Sequence, residues 1–214
     1  VEQRTFPPSP EFVAAARLKP ADLAALQAAA ARDHVGFWAD QARTALGLDP
    51  ERVTGGVRFA GTGEIQGLAA RWRCDVHGDG RAVEQVTSRL PSTRGFDGAR
   101  GWALDHSGMR GPLDLGDLEL FRVTTDVLSG RWLLPESAVE VCGARVVSER
   151  IELDLRARDG VTRYRLALDR RTAIPVELAP AAGPPWRTRY ARFEVGGWGL
   201  IARDVTLECG HLAD

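Results

Sequence analysis

Hydrophobic positions along the chain follow a helical spacing before Pro50 and a spacing of two after it. Pro20 stands where a first helical residue is tolerated, and Asp22 complements the dipole of the first turn. The alanine-rich run Ala21 to Arg32 carries Leu23, Leu26 and Ala30 as a modest apolar stripe. A second stretch sets Trp38, Ala42, Ala45 and Leu46 on one face, with Gly47, Leu48 and Pro50 as its stop. Beyond Pro50, Leu68, Ala70, Trp72, Cys74 and Val76 alternate with Ala69, Arg71, Arg73, Asp75 and His77. That alternation predicts a strand with one apolar face and one wet face. Gly78-Asp79-Gly80 is turn chemistry, and Ala82 to Leu90 reads as the returning strand. Ile151, Leu153, Leu155 and Ala157 repeat the pattern, Asp159-Gly160 predicts a hairpin turn, and Tyr164, Leu166 and Leu168 form the next apolar side. Further strands are predicted near Ile174 to Leu178, Trp186 to Val195 and Leu200 to Cys209, with Gly196-Gly197 turning between the last two.

One helical stretch interrupts the strands. Leu120, Phe121, Thr124, Val127 and Leu128 share a helical face between Asp117 and Gly130; Asp114 or Asp117 can cap its start and Gly130 can end it. Trp132-Leu133-Leu134 follows, completing the most hydrophobic neighbourhood of the chain. This is more apolar surface than a short helix needs to dock on a sheet, so the segment Asp117 to Leu134 is expected to form a wall or lid of an apolar cavity. Phe59, Trp72, Leu120, Phe121, Leu128 and Trp132 are its expected lining. Residues 1–19, punctuated by Pro7, Pro8 and Pro10, read as an extended arm, and residues 20–214 as one domain. The pattern as a whole predicts an α+β, mainly antiparallel fold. It is a curved, unclosed β-barrel with N-terminal helices and one helical insertion on its concave face.

Composition narrows the function classes. With 44% hydrophobic and 27% charged residues among 214, the chain can bury a proper core. A net charge of -1 without a basic stripe argues against a nucleic-acid partner. No apolar run reaches the roughly eighteen residues of a membrane-spanning helix. Lys19 is the only lysine beside 27 arginines, which with the abundant alanine and glycine points to a GC-rich bacterial genome. The chain starts at Val1 without a signal-peptide pattern, as a processed or trimmed chain does. Cys74, Cys142 and Cys209 are too few and scattered for a disulfide framework; one bridge plus a free thiol and three buried thiols both remain open.

The sequence assigns no catalytic residue, metal ligand or cofactor. It contains no Gly-x-Ser-x-Gly elbow, and Asp105-His106-Ser107-Gly108 sets its triad-type residues side by side, where they cannot converge on one atom. No Asp-Thr-Gly or Asp-Ser-Gly triplet of an aspartic protease occurs. Cys74 and His77 point to opposite faces of their strand, and Cys209 with His211 makes at most half a zinc site. Gly61-Thr62-Gly63 lacks the helix and lysine of a phosphate loop and is expected to mark a bulge or bend in a strand. Six tryptophans, Trp38, Trp72, Trp102, Trp132, Trp186 and Trp198, are many for a chain with 7% aromatics, and most are expected to fill the core.

Several phrases, in order, carry a resemblance: Asp49-Pro50-Glu51-Arg52-Val53 into Val57-Arg58-Phe59-Ala60-Gly61, Gly95-Phe96-Asp97-Gly98 before Gly101-Trp102, Leu128 to Leu133, Leu168-Asp169 through Ile174-Pro175-Val176, and Tyr190 to Leu200. Over about residues 34 to 209 the chain resembles the LolA/LolB-type lipoprotein-carrier superfamily. More narrowly, it is similar to the domain that precedes a retropepsin-like aspartic protease domain in some bacterial envelope proteins. The resemblance implies an unclosed barrel with a hydrophobic concave face, lidded by helices, in the periplasm or cell envelope. It also implies noncovalent, noncatalytic binding of an acyl chain or other hydrophobic small molecule, with a lipoprotein or another envelope protein as a possible partner. The alternative is a protein-interaction or regulatory module accompanying a protease domain, and a third reading is an enzyme with an unrecognised site.

Overall fold

The computed structural model describes residues 20–47, 53, 55–65, 68–158, 162–182, 186–196 and 199–209. The arm at residues 1–19, the Asp159-Gly160 turn, Gly197 and Trp198 lie outside them. Helices α1 (Pro20–Arg32) and α2 (His34–Leu46) come first. Asp33 caps α2 by accepting the Gly36 N–H at 2.9 Å, and Gly47 ends it in the left-handed region at φ 61°. Ala42 and Leu46 are the buried pair on α2, as the helical spacing predicts. The stripe on α1 is only weakly used, since Leu23 is 46% exposed.

Twelve strands then form two open antiparallel sheets, each ordered as the chain runs. The first holds β1 (Gly56–Ile65), β2 (Leu68–His77), β3 (Ala82–Thr87), β4 (Ser92–Phe96), β5 (Gly101–Leu104) and β6 (Arg110–Pro112). The second holds β7 (Val139–Val147), β8 (Arg150–Ala157), β9 (Arg163–Asp169), β10 (Pro175–Pro180), β11 (Trp186–Gly196) and β12 (Gly199–Cys209). Helix α3 (Leu115–Ser129) and a 3-10 turn (Arg131–Leu133) connect the sheets. The fold is therefore α+β, mainly antiparallel and unclosed. Alternation reads out directly as burial: Ile151, Leu153 and Leu155 are fully buried, while Arg150 and Arg156 on the other face are exposed. Helix α2 approaches both β7 and β12, the two edges of the second sheet, so a helix spans the opening that a closed barrel would bridge with a ladder.

Two expectations are corrected. Of the bulge or bend expected at Gly61-Thr62-Gly63, the bulge is ruled out, because β1 and β2 pair in unbroken register from Gly56↔His77 to Ile65↔Leu68. The register shifts instead fall between Val141 and Gly143 and between Pro175 and Glu177, leaving Cys142 and Val176 as the extra residues. The reading of three buried thiols also fails. Cys74 is buried and Cys142 exposed, and both are free.

Candidate functional site

Helix α3 is the centre of the molecule. Asp114 caps its start by accepting the Asp117 N–H at 2.7 Å, and Gly130 stops it at φ 78°. From Phe121 onward it is buried nearly all round, at Phe121, Val123, Thr125, Asp126, Val127, Leu128 and Ser129, which marks a helix enclosed by protein rather than one lying on a surface. Its hydroxyls are satisfied locally: Thr124, Thr125 and Ser129 donate to the carbonyls of Leu120, Phe121 and Thr125 at 2.7–2.8 Å.

The helix lies between the two sheets. Toward the first, Arg94 of β4 covers the Phe121 ring at 5.1 Å, Arg122 covers the Phe96 ring of β4 at 4.7 Å, and Gly101 of β5 leaves room for Leu118. Toward the second, the Tyr164 hydroxyl of β9 donates to Glu119 at 2.9 Å. Burial and this bond raise the Tyr164 pKa. At the end of the helix, Asp126 accepts from Arg131 Nε at 3.1 Å, from the Ser137 hydroxyl at 2.9 Å and from the Ala138 N–H at 2.6 Å. One carboxylate thereby ties the helix, the 3-10 turn and the approach to β7 together inside the core.

The six expected lining residues fall within the buried core or against it. Phe59, Phe121, Leu128 and Trp132 belong to one buried cluster, and Trp72 and Leu120 pack against it. Phe59 and Trp72 are diagonal neighbours on the inner face, opposite Cys74 and Gly61 respectively. Phe121 is fully buried and Trp132 is 2% exposed, so both are covered by protein on nearly all sides. A cleft of about 340 Å³ lies elsewhere, between α1 and α2, lined by Leu26, Arg32, Phe37 and Asp40 among others.

Two polar residues belong to this site that sequence reasoning missed. The Trp72 indole donates to Glu84 at 3.0 Å, and Glu84 accepts from Arg94 at 2.7 Å, so a chain of contacts runs from Trp72 through Glu84 and Arg94 to Phe121. The available signal was phase: Glu84 alternates with Ala82 and Val86, on the inward side of β3. Burial and the charge of Glu84 push the Cys74 thiol up to about 12, which keeps it neutral. Two buried donors at the end of α3 have no protein acceptor, Arg131 Nη1 and Trp132 Nε1. Asp105-His106-Ser107-Gly108 is a turn in which the Asp105 carboxylate accepts from Ser107 and Met109, and that use holds its pKa down. Cys74 and His77 face apart, one buried and one exposed, and among the described residues no cluster of metal-ligating side chains forms. Among them also, no helix is long and apolar enough to cross a membrane.

No protein-family model matches the chain. No curated protein matches it either. Among solved structures it is similar to a LolA superfamily protein, NE2245 from Nitrosomonas europaea, with 13% identity and a TM-score of 0.48, over 80% of this chain and 87% of that one.

Proposed function

We propose that this chain is a noncatalytic cell-envelope domain of a GC-rich bacterium that binds an acyl chain or lipid-modified peptide between its sheets and α3. The observation that carries this reading is the enclosed helix. Phe59, Phe121, Leu128 and Trp132 are part of the buried core that encloses it, and Trp72 and Leu120 pack against that core. An acyl chain enters such a region by replacing side-chain contacts, and each methylene taken from water contributes about 0.8 kcal/mol, so a long chain needs little further recognition. The unpartnered N–H groups of Arg131 and Trp132 suit the ester or amide carbonyls at the head of such a ligand. No cofactor enters this reading.

Native mass spectrometry of the purified protein, followed by solvent extraction, tests the proposal. The expected result is a bound lipid near one per chain, with saturable binding of an apolar dye that a fatty acid displaces. Protein that carries no lipid and takes up no dye would refute it and favour the interaction-module reading.

A further inference from the structure

We infer that β1 is the contact by which two copies of this chain pair, edge to edge, about a two-fold axis through Gly61. Strand β1 ends the first sheet, and among the described residues no strand pairs with its outer side. It is ten residues long, bonded to β2 without a bulge and free of proline. Residues Ala60 to Glu64 are exposed, and nothing lies within 4 Å of where a Cβ of Gly61 or Gly63 would stand. A long, regular, open edge is a template for another strand, and among the described residues β1 has neither the bulge nor the proline that often blunts such an edge.

The sequence of the strand selects the occupant and the register. The Gly78 N–H donates to the Gly55 carbonyl at 2.9 Å, so the odd-numbered residues of β1 turn their backbone groups toward β2 and the even-numbered ones turn theirs outward. Antiparallel self-pairing must therefore match even residues with even. Centred on Gly61, it sets Arg58 opposite Glu64 twice, Ala60 opposite Thr62 twice, Val57 opposite Ile65, and Phe59 opposite Gly63, which has no side chain to collide. A centre at Ala60 puts Arg58 against Thr62, and a centre at Thr62 puts it against Gln66, so only the Gly61 register joins the opposite charges. Arg58 holds its Nε on Asp75 of β2 at 2.6 Å, and its side chain stays 62% exposed, so a second carboxylate can reach the guanidinium from the open side. Each Arg58–Glu64 and Ala60–Thr62 pair exchanges two backbone hydrogen bonds, and the first sheets of two copies become one continuous sheet.

Sedimentation velocity over a concentration series tests the pairing. The wild-type mass should rise toward twice 23.3 kDa. Glu64→Arg, which sets arginine against arginine, should weaken the dimer at least tenfold, with the thermal midpoint unchanged at dilutions where both proteins are monomeric. The register is tested by cross-linking in a Cys142→Ser background. Gly61→Cys lies on the axis in a pair whose Cα atoms are about 4.5 Å apart, so it should form a disulfide dimer under mild oxidation. Ala60→Cys is displaced from its own copy by two residues and should not. A wild type that stays at 23.3 kDa at every concentration overturns the inference, even if a strand from another protein binds at β1. So does a dimer that tolerates Glu64→Arg and does not cross-link at position 61.

Discussion

Cys74 sits on the inner face of β2 and has no exposed surface, and its environment can be read by titration. Burial is the main reason its thiol is pushed from 9.0 to about 12, with the Glu84 charge adding to it. Below about pH 9 the thiol is protonated in both folded and unfolded chains, and it contributes no pH dependence. Between about 9 and about 12 the folded state keeps a proton that the unfolded chain has released, so stability must fall as pH rises. Each pH unit within that window costs up to about 1.4 kcal/mol. Tyr164 and Tyr190 are raised by burial as well, and they titrate toward the same end of the scale. Comparison with Cys74→Ala isolates the thiol. The urea midpoint of the wild type should fall more steeply than that of the variant above about pH 9, and the two should run parallel at neutral pH. Parallel curves throughout would mean that water reaches the thiol.

At the scale of elements, α3 depends on its two ends. Asp114→Ala removes the acceptor of the Asp117 N–H, and the expected loss is about 1 kcal/mol in the denaturant midpoint at unchanged slope. The helix was legible because its caps and apolar spacing are local, and the same holds for β2 and β8, where alternation runs unbroken for eight residues or more. Four strands were not. β4, β5 and β6 have five, four and three residues, too few for a period of two to stand out. In β7 the extra residue at Cys142 changes the phase, so that Val139 and Val141 fall out of step with Ala144 and Val146. The burial of Phe59, Phe121, Leu128 and Trp132 was legible from their apolar and aromatic positions. Glu84 and Arg94 were not, because a charged residue in apolar phase acquires meaning only when the register sets the two opposite each other.

Over the whole molecule, the chain order is also the spatial order: one sheet, then the helix, then the other sheet, each sheet pairing only neighbours in sequence. The end of the helix is fixed by the buried Asp126–Arg131 pair, with Ser137 and Ala138. Asp126→Ala leaves the Arg131 charge buried without its partner, and the expected loss is about 3–5 kcal/mol. That arrangement bears on how the chain reaches its native state. Hairpins between adjacent strands close short loops, so each sheet can zip up early and independently, while α3 is sealed in only at the end. On that order the Asp126 contacts are expected to form after the barrier. Stopped-flow measurements on Asp126→Ala should show most of the loss as faster unfolding, with refolding slowed little, whereas truncation of a ladder residue such as Leu153 should slow refolding itself. A bolt fastened last is also the first to give way, and the lifetime of the native state is set where a single buried side chain holds the end of α3 to the turn that leads into the second sheet.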